Sequence, residues 1–333
     1  MKVIVRRAKH FMQRFLKETK QYPKRKAAFG AKVARSAFID GIIPPGKSPQ
    51  YIAAISSYVD RDMAALIKKY NKENVNSPDK ENVGGIIPVW CCWWQGEASM
   101  PELVKLCYTR LKQMIPKERA ELHLITLETY TDYVKFPDHI QKKFEAGIIT
   151  MTTMSDVLRF LLLEKYGGYW VDATVFFTEK IPHEYFSGNF FCQRMVNNTT
   201  YSVREACGSK WCGFSMAGPA HSIVFRYMND AFYAWWKKYD DIIDYVLIDY
   251  LLLSGYSHVP AIREIIDCVP DNNEDIFEMY QVLNQPYSQS LWNRLTRRNV
   301  MHKLTYKMNL QKETEDGQLT IYGYLHKMTA QDL

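Results

Sequence analysis

The chain has 333 residues, 47% of them hydrophobic and 14% aromatic, which excludes a disordered protein and leaves room for one large α/β domain with additions or two modest ones. Net charge is +7, but residues 1–35 hold 12 Lys and Arg against one acid, Glu18, and the remainder carries 31 bases and 35 acids. The body is therefore not basic, which argues against nucleic acid as a partner and makes the cationic character a property of the N-terminal segment.

In chain order, residues 1–20 set Ile4, Ala8, Phe11, Phe15 and Leu16 on one helical face, with Lys9, Arg14, Lys17 and Lys20 mostly on the other. Such a helix either rests on an anionic membrane surface, with residues 1–35 as the basic element, or packs on a protein with its basic face in solvent. No run of about 18 apolar residues occurs, so no transmembrane helix is expected. The charged start lacks the apolar core of a signal peptide. The seven Cys lack metal-ligand spacing and read as reduced thiols, which points to the cytoplasm.

Helical periodicity runs from Ile52 to Asn71, and Asn74 to Gly85 reads as a loop. Ile86 to Trp94 is an apolar run of strand length, suited to a strand covered on both faces. A helix opening at Pro101, a strand from Leu122 to Leu127 and a largely helical Tyr130 to Ala146 complete a β-α-β-α alternation. That alternation predicts a wound α/β sheet. Thr153 and Asp156 fit a variant capping box, and a helix follows as far as Gly167. Tyr169 to Val171 reads as a strand, with Asp172-Ala173-Thr174 at its carboxyl end, where open α/β sheets bind ligands. Strands are expected at Phe190–Met195 and Trp211–Ala217, helices at His221–Tyr239, Asp244–Leu253 and Asp275–Leu283, and a loosely packed tail at 309–333. The expected division is a basic helical region at 1–84, a catalytic domain at 85–310 and a tail at 311–333.

Asp172 and Thr174, two apart at a strand end, would project to one side and could share a divalent cation bridging a diphosphate. Locally, Asp172 reads equally as a carboxylate capping a turn. Asp156 and Arg159, three apart on a helix, share one face and could form no more than a salt bridge.

Three segments taken together carry a resemblance. They are Trp93-Trp94-Gln95-Gly96-Glu97 with Met100-Pro101-Glu102, then Ser155-Asp156-x-x-Arg159, then Tyr166-Gly167-Gly168-Tyr169-Trp170-Val171-Asp172-Ala173-Thr174. Their order and spacing resemble the capsular polysaccharide synthesis protein family, which is similar to glycosyltransferase family 32 and more distantly to the glucosylating clostridial toxins. The likeness spans roughly residues 85–310. It implies a GT-A type, Rossmann-like mixed sheet flanked by helices, with a helical N-terminal extension. It also implies hexose transfer from a nucleotide sugar, with a UDP-sugar expected, assisted by Mn²⁺ or Mg²⁺. The acceptor would be a saccharide or lipid-linked chain in cell-surface polysaccharide synthesis, with retention at the anomeric carbon.

By the same resemblance, Trp94 would stack on the donor base and Trp93 would be core. Asp156 would bind the sugar hydroxyls, and Arg159 would lie near the sugar and diphosphate. Asp172, Thr174 and His302 would face the metal, and Thr305 and Lys307 the phosphates. Asp244, in Ile243-Asp244-Tyr245, would orient or deprotonate the acceptor hydroxyl, or else cap a helix. The superfamily's second metal-binding carboxylate is a threonine here, Thr174. A metal-dependent phosphotransferase or nucleotidyltransferase, and an inactive scaffold of the polysaccharide machinery, are the competing readings.

Overall fold

The computed structural model of the chain describes residues 2–43, 47–73, 85–198, 200 and 205–331, with side chains from residue 9 onward. The first helix, α1 (Lys2–Ile42), is interrupted at Gly30, whose φ of 83° is outside the helical region. The chain doubles back there, so that Phe15 and Tyr22 meet Phe38 with ring centroids 5.7 and 6.0 Å apart. Helix α2 (Pro49–Asp62) starts at a Ser48 cap with proline in its first turn, and buries Tyr51, Ala54, Ile55 and Val59. The helix expected from Ile52 to Asn71 is in fact two, because α3 (Ala64–Tyr70) restarts after Met63. The loop expected at Asn74–Gly85 lies, up to residue 84, outside the described residues.

The next elements are β1 (Ile87–Cys92), α4 (Glu102–Met114), β2 (Ala120–Ile125), α5 (Tyr130–Tyr133), α6 (Asp138–Glu145), α7 (Met151–Tyr166) and β3 (Gly168–Val171). After them come β4 (Val175–Phe177), β5 (Phe191–Cys192), β6 (Ser215–Gly218), α8 (Ile223–Lys238), α9 (Leu247–His258) and α10 (Pro260–Asp267). The chain closes with α11 (Glu278–Gln281), α12 (Gln289–Thr296), β7 (Met301–Lys303) and α13 (Ile321–Gln331). Five strands form a mixed sheet in the order β2-β1-β3-β6-β5. The first three are parallel, and β6 runs antiparallel to both β3 and β5. The expected α/β sheet flanked by helices, with a helical N-terminal extension, is what the chain forms.

Period-2 alternation explains why β1 is apolar throughout. Ile87, Val89 and Cys91 enter one core cluster and Trp90 the other. In β3, Tyr169 and Val171 face the first cluster and Trp170 the second. The glycine pair before β3 is a packing requirement. A Cβ on Gly168 would lie 2.2 Å from the Pro88 carbonyl oxygen, and one on Gly167 2.6 Å from the Ala220 nitrogen, and both residues have positive φ.

A second, two-stranded ribbon pairs β4 with β7 and sets Val175 opposite Lys303, Phe176 opposite His302 and Phe177 opposite Met301. The tail expected to be loose instead contains α13, which buries Ile321, Tyr322 and Leu325 and packs on α4.

Candidate active site

The site is built where α7, β3, β6, α9 and the β4–β7 ribbon converge. Helix α7 begins one turn earlier than expected, because Thr150 caps it by accepting a hydrogen bond from the Thr153 amide. Asp156 is therefore inside the helix and does not belong to a capping box. It faces Arg159, whose Nη1 donates to Asp156 Oδ1 at 3.0 Å. Arg159 also stacks over the Trp170 ring, 5.0 Å from its centroid, and Nη2 reaches Asp172 Oδ1 at 3.3 Å. The same oxygen accepts from Trp170 Nε1 at 2.9 Å. Asp172 Oδ2 is held by Lys303 Nζ at 2.7 Å. Arg159 itself is 4% exposed and its Nε has no partner among the described residues.

The charges set the acidities. Burial pushes Asp156 up to about 6, assisted by the Asp172 charge and opposed by Arg159. Its side chain nevertheless keeps 20% of its surface, so solvent can reach it. Burial also tends to raise Asp172, but Lys303, Arg159 and the Trp170 hydrogen bond prevail and hold its carboxyl below the usual range.

A third carboxylate, missed in the sequence reading, joins them. Asp249, in the first turn of α9, accepts from Trp211 Nε1 at 3.1 Å. Burial, then the charge of Glu205 and more weakly that of Asp156, push it up to about 7. Ile248 and Arg159 meet over Gly213, where a Cβ would lie 3.1 and 3.0 Å from them, so α9 and α7 border one recess. The tripeptide Ile-Asp-Tyr occurs twice, at 243–245 and 248–250, and that repeat was the available signal.

Asp244, taken from the first copy, is engaged elsewhere. Its carboxylate accepts from the Tyr51 hydroxyl, from Lys47 Nζ at 3.3 Å and from the Val246 amide at 2.9 Å. No described contact joins it to Asp156 or Asp172. It ties the N-terminal helices to this segment through Tyr51 and Lys47, while Asp249, five residues later in the first turn of α9, is turned towards Trp211 instead.

The two tryptophans exchange places relative to expectation. Strand β1 ends at Cys92, so alternation no longer governs the residues that follow. Trp94 is 5% exposed, and its indole nitrogen donates to the Met151 carbonyl at 2.9 Å and Ser155 Oγ at 2.8 Å. Trp93 is the partly exposed one, with its ring 5.8 Å from that of Tyr306.

The late segment returns to Asp172 as expected, but through a different residue. In β7, Lys303 faces Asp172, and alternation sends His302 to the opposite side, with Phe176. There it is fully buried, without a well-formed hydrogen bond at either ring nitrogen among the described residues. Desolvation lowers its pKa to about 4, against a weaker opposing contact with the Asn299 backbone. Thr305 accepts from the Lys307 amide at 3.2 Å, and neither residue touches Asp172 in a described contact. Thr174 sits in a turn, not in a continuing strand: Val175 donates to the Asp172 carbonyl at 3.0 Å. The two-apart rule that would align Thr174 with Asp172 therefore does not apply.

These positions bear on a metal. Among the described residues no group of three His, Cys, Asp or Glu side chains could hold one. Asp172 is the one carboxylate at the strand end, and both its oxygens are in ion pairs with cations. A divalent cation at Asp172 would have to displace Lys303 or Arg159 from the carboxylate and draw its remaining ligands from substrate phosphates and water.

A family model described as capsular polysaccharide synthesis protein matches residues 47–325. The chain belongs to this family. The match takes in every element of the site and leaves all of α1 outside. No curated protein matches the chain. Among solved structures, a chain titled "PaToxG Glycosyltransferase" is similar, at 12% identity and a TM-score of 0.34, with 73% of this chain and 95% of that chain covered. No helix among the described residues is long and apolar enough to cross a membrane.

Proposed function

We propose that this protein is a glycosyltransferase of GT-A type. It would move a hexose from a nucleotide sugar, with a UDP-sugar as the expected donor, to a saccharide or lipid-linked acceptor in capsular polysaccharide synthesis. The observation that carries this reading is the charged cluster itself, in a chain of the capsular family. Asp156 and Asp172 flank the buried Arg159 at the carboxyl end of parallel strand β3, and Asp249 lies near enough to feel the charge of Asp156.

In this reading Asp156 accepts hydrogen bonds from donor sugar hydroxyls, and the planar Arg159 faces the departing diphosphate. Asp249 takes the role expected of Asp244 and receives the acceptor hydroxyl, its acidity being matched to neutral pH. Trp93 and Tyr306 offer the exposed rings against which a base can stack. Retention at the anomeric carbon is carried over from the resemblance to family 32, and proton NMR of the first product tests it.

The functional test is a panel of nucleotide sugars. Binding that raises the melting temperature, with sugar transfer or slow donor hydrolysis that Asp156→Asn abolishes, supports the reading. Turnover of nucleoside triphosphates without sugar transfer favours a phosphotransferase. Binding of no nucleotide at all favours a scaffold.

The localisation that fits is cytoplasmic, docked at the inner face of the plasma membrane. Phe11, Met12, Leu16, Ile39 and Ile43 are all more than 40% exposed, at the open end of the α1 hairpin. Phe11, Met12 and Leu16 lie within residues 1–35, which carry 12 Lys and Arg against one acid, and Ile39 and Ile43 follow just after; that charge is complementary to anionic lipid. Co-sedimentation with phosphatidylglycerol vesicles, but not with phosphatidylcholine vesicles, and its loss in Phe11→Ser/Leu16→Ser, is the outcome that fits.

A further inference from the structure

We propose that the Lys303 ammonium, steered by Asp172, supplies together with Arg159 the positive charge that stabilises the departing diphosphate, so that donor binding and transfer need no divalent cation. The inference rests on the nucleotide-sugar reading and deepens it.

Three observations carry it. Lys303 Nζ is 2.7 Å from Asp172 Oδ2, the carboxylate oxygen that Arg159 and Trp170 leave free. Its side chain is 20% exposed and its Nζ lies 4.8 Å from the Phe214 ring centroid, so it is held in place at the recess wall and is not a free surface lysine. An ammonium has three donors, and one bond to Asp172 leaves two for phosphate oxygens. Second, the ribbon is built to bring it there: Lys303 pairs with Val175, and the Leu304 amide bonds to the Thr174 carbonyl at 2.9 Å. Third, no described contact brings the residues expected to complete a metal shell to Asp172. His302 faces the opposite side of β7 and Thr174 lies in a turn.

The step balances without a metal. The bond between the anomeric carbon and the diphosphate oxygen breaks, and its electron pair leaves with the nucleoside diphosphate. The acceptor oxygen forms the new bond to the anomeric carbon, and its proton passes to Asp249 and then to solvent. Lys303 and Arg159 meet the charge that develops on the leaving oxygen.

The test measures binding of UDP and of inorganic pyrophosphate by calorimetry, and transfer from the donor found in the panel. Each is done with EDTA and with Mn²⁺, for wild type, Lys303→Ala and Lys303→Arg. The expected result is wild-type binding and turnover that change less than about twofold on adding EDTA. Lys303→Ala should lose about 100-fold or more in turnover, without rescue by Mn²⁺, and Lys303→Arg should recover part of it. Binding or turnover that requires Mn²⁺ in wild type, or a Lys303→Ala variant as active as wild type, overturns the inference but not the transferase. If no nucleotide and no pyrophosphate binds in either condition, the transferase reading falls and the inference falls with it. Circular dichroism of each variant separates a folding defect, and the arginine variant keeps the charge test open if the alanine variant does not fold.

Discussion

Lys303 Nζ lies 2.7 Å from Asp172 Oδ2 across 131 residues of chain, and Arg159 Nη2 lies 3.3 Å from Oδ1 of the same carboxylate. One acid thus positions two cations on opposite sides. Asp172→Asn keeps the shape and removes the charge, leaving both cations in a mostly enclosed recess. Stability should fall by about 3 kcal/mol, read by urea denaturation, and transfer should fall at least about 100-fold, read in the donor assay.

The two carboxyls with raised pKa give opposite signs for stability and activity. A folded pKa of about 6 for Asp156 and about 7 for Asp249 lies above the ordinary carboxyl value. The folded state therefore favours their protonated forms, and their ionisation removes stability as pH climbs from about 4 towards 7. Activity needs them ionised, so it should rise through the same range. Asp249→Asn should raise stability at pH 8 by about 4 kcal/mol while removing most of the turnover, and the ascending limb near pH 7 should go with it. A thermal scan at pH 5 and pH 8 alongside the profile checks both.

His302 should behave as core. Its folded pKa of about 4 lies below the ordinary value, so the stability tied to its neutral form is complete above pH 6.5 and is lost as pH falls towards 4. His302→Leu should leave transfer and its cation dependence within about twofold of wild type, and should flatten acid destabilisation between pH 6 and 4. A selective loss of activity with normal folding would return His302 to the site.

The paired tryptophans separate packing from binding. Trp94→Ala removes a buried indole with two hydrogen bonds and should cost about 3–5 kcal/mol. Trp93→Ala should keep the melting temperature within a few degrees and weaken UDP binding about tenfold, since base stacking contributes roughly 1–3 kcal/mol. Equal destabilisation by the two variants would contradict the burial difference.

Much of this was legible in the chain. The apolar run of β1 declares a strand covered on both sides, because neither face of its alternation is polar. The Gly167-Gly168 break announces both the end of α7 and the close approach to Pro88, since no side chain fits there. The three-residue spacing of Asp156 and Arg159 on a helix is enough to make them neighbours. Basic residues crowded into 1–35 put the chain's net positive charge in its N-terminal segment.

What the tertiary structure decided are choices of phase. A strand as short as Met301–Lys303 has no periodic pattern to say which residue faces Asp172, and only its pairing with β4 selects Lys303 over His302. Trp93 and Trp94 follow the last residue of a strand, where alternation has ceased and the turn sets which ring is covered. The two Ile-Asp-Tyr copies are identical locally, and the packing of Tyr51 and Lys47 on one and of Trp211 on the other assigns Asp244 to the scaffold and Asp249 to the recess. Local chemistry names the residue types a site requires. Long-range pairing, which no short window of sequence contains, determines which copy of each arrives there.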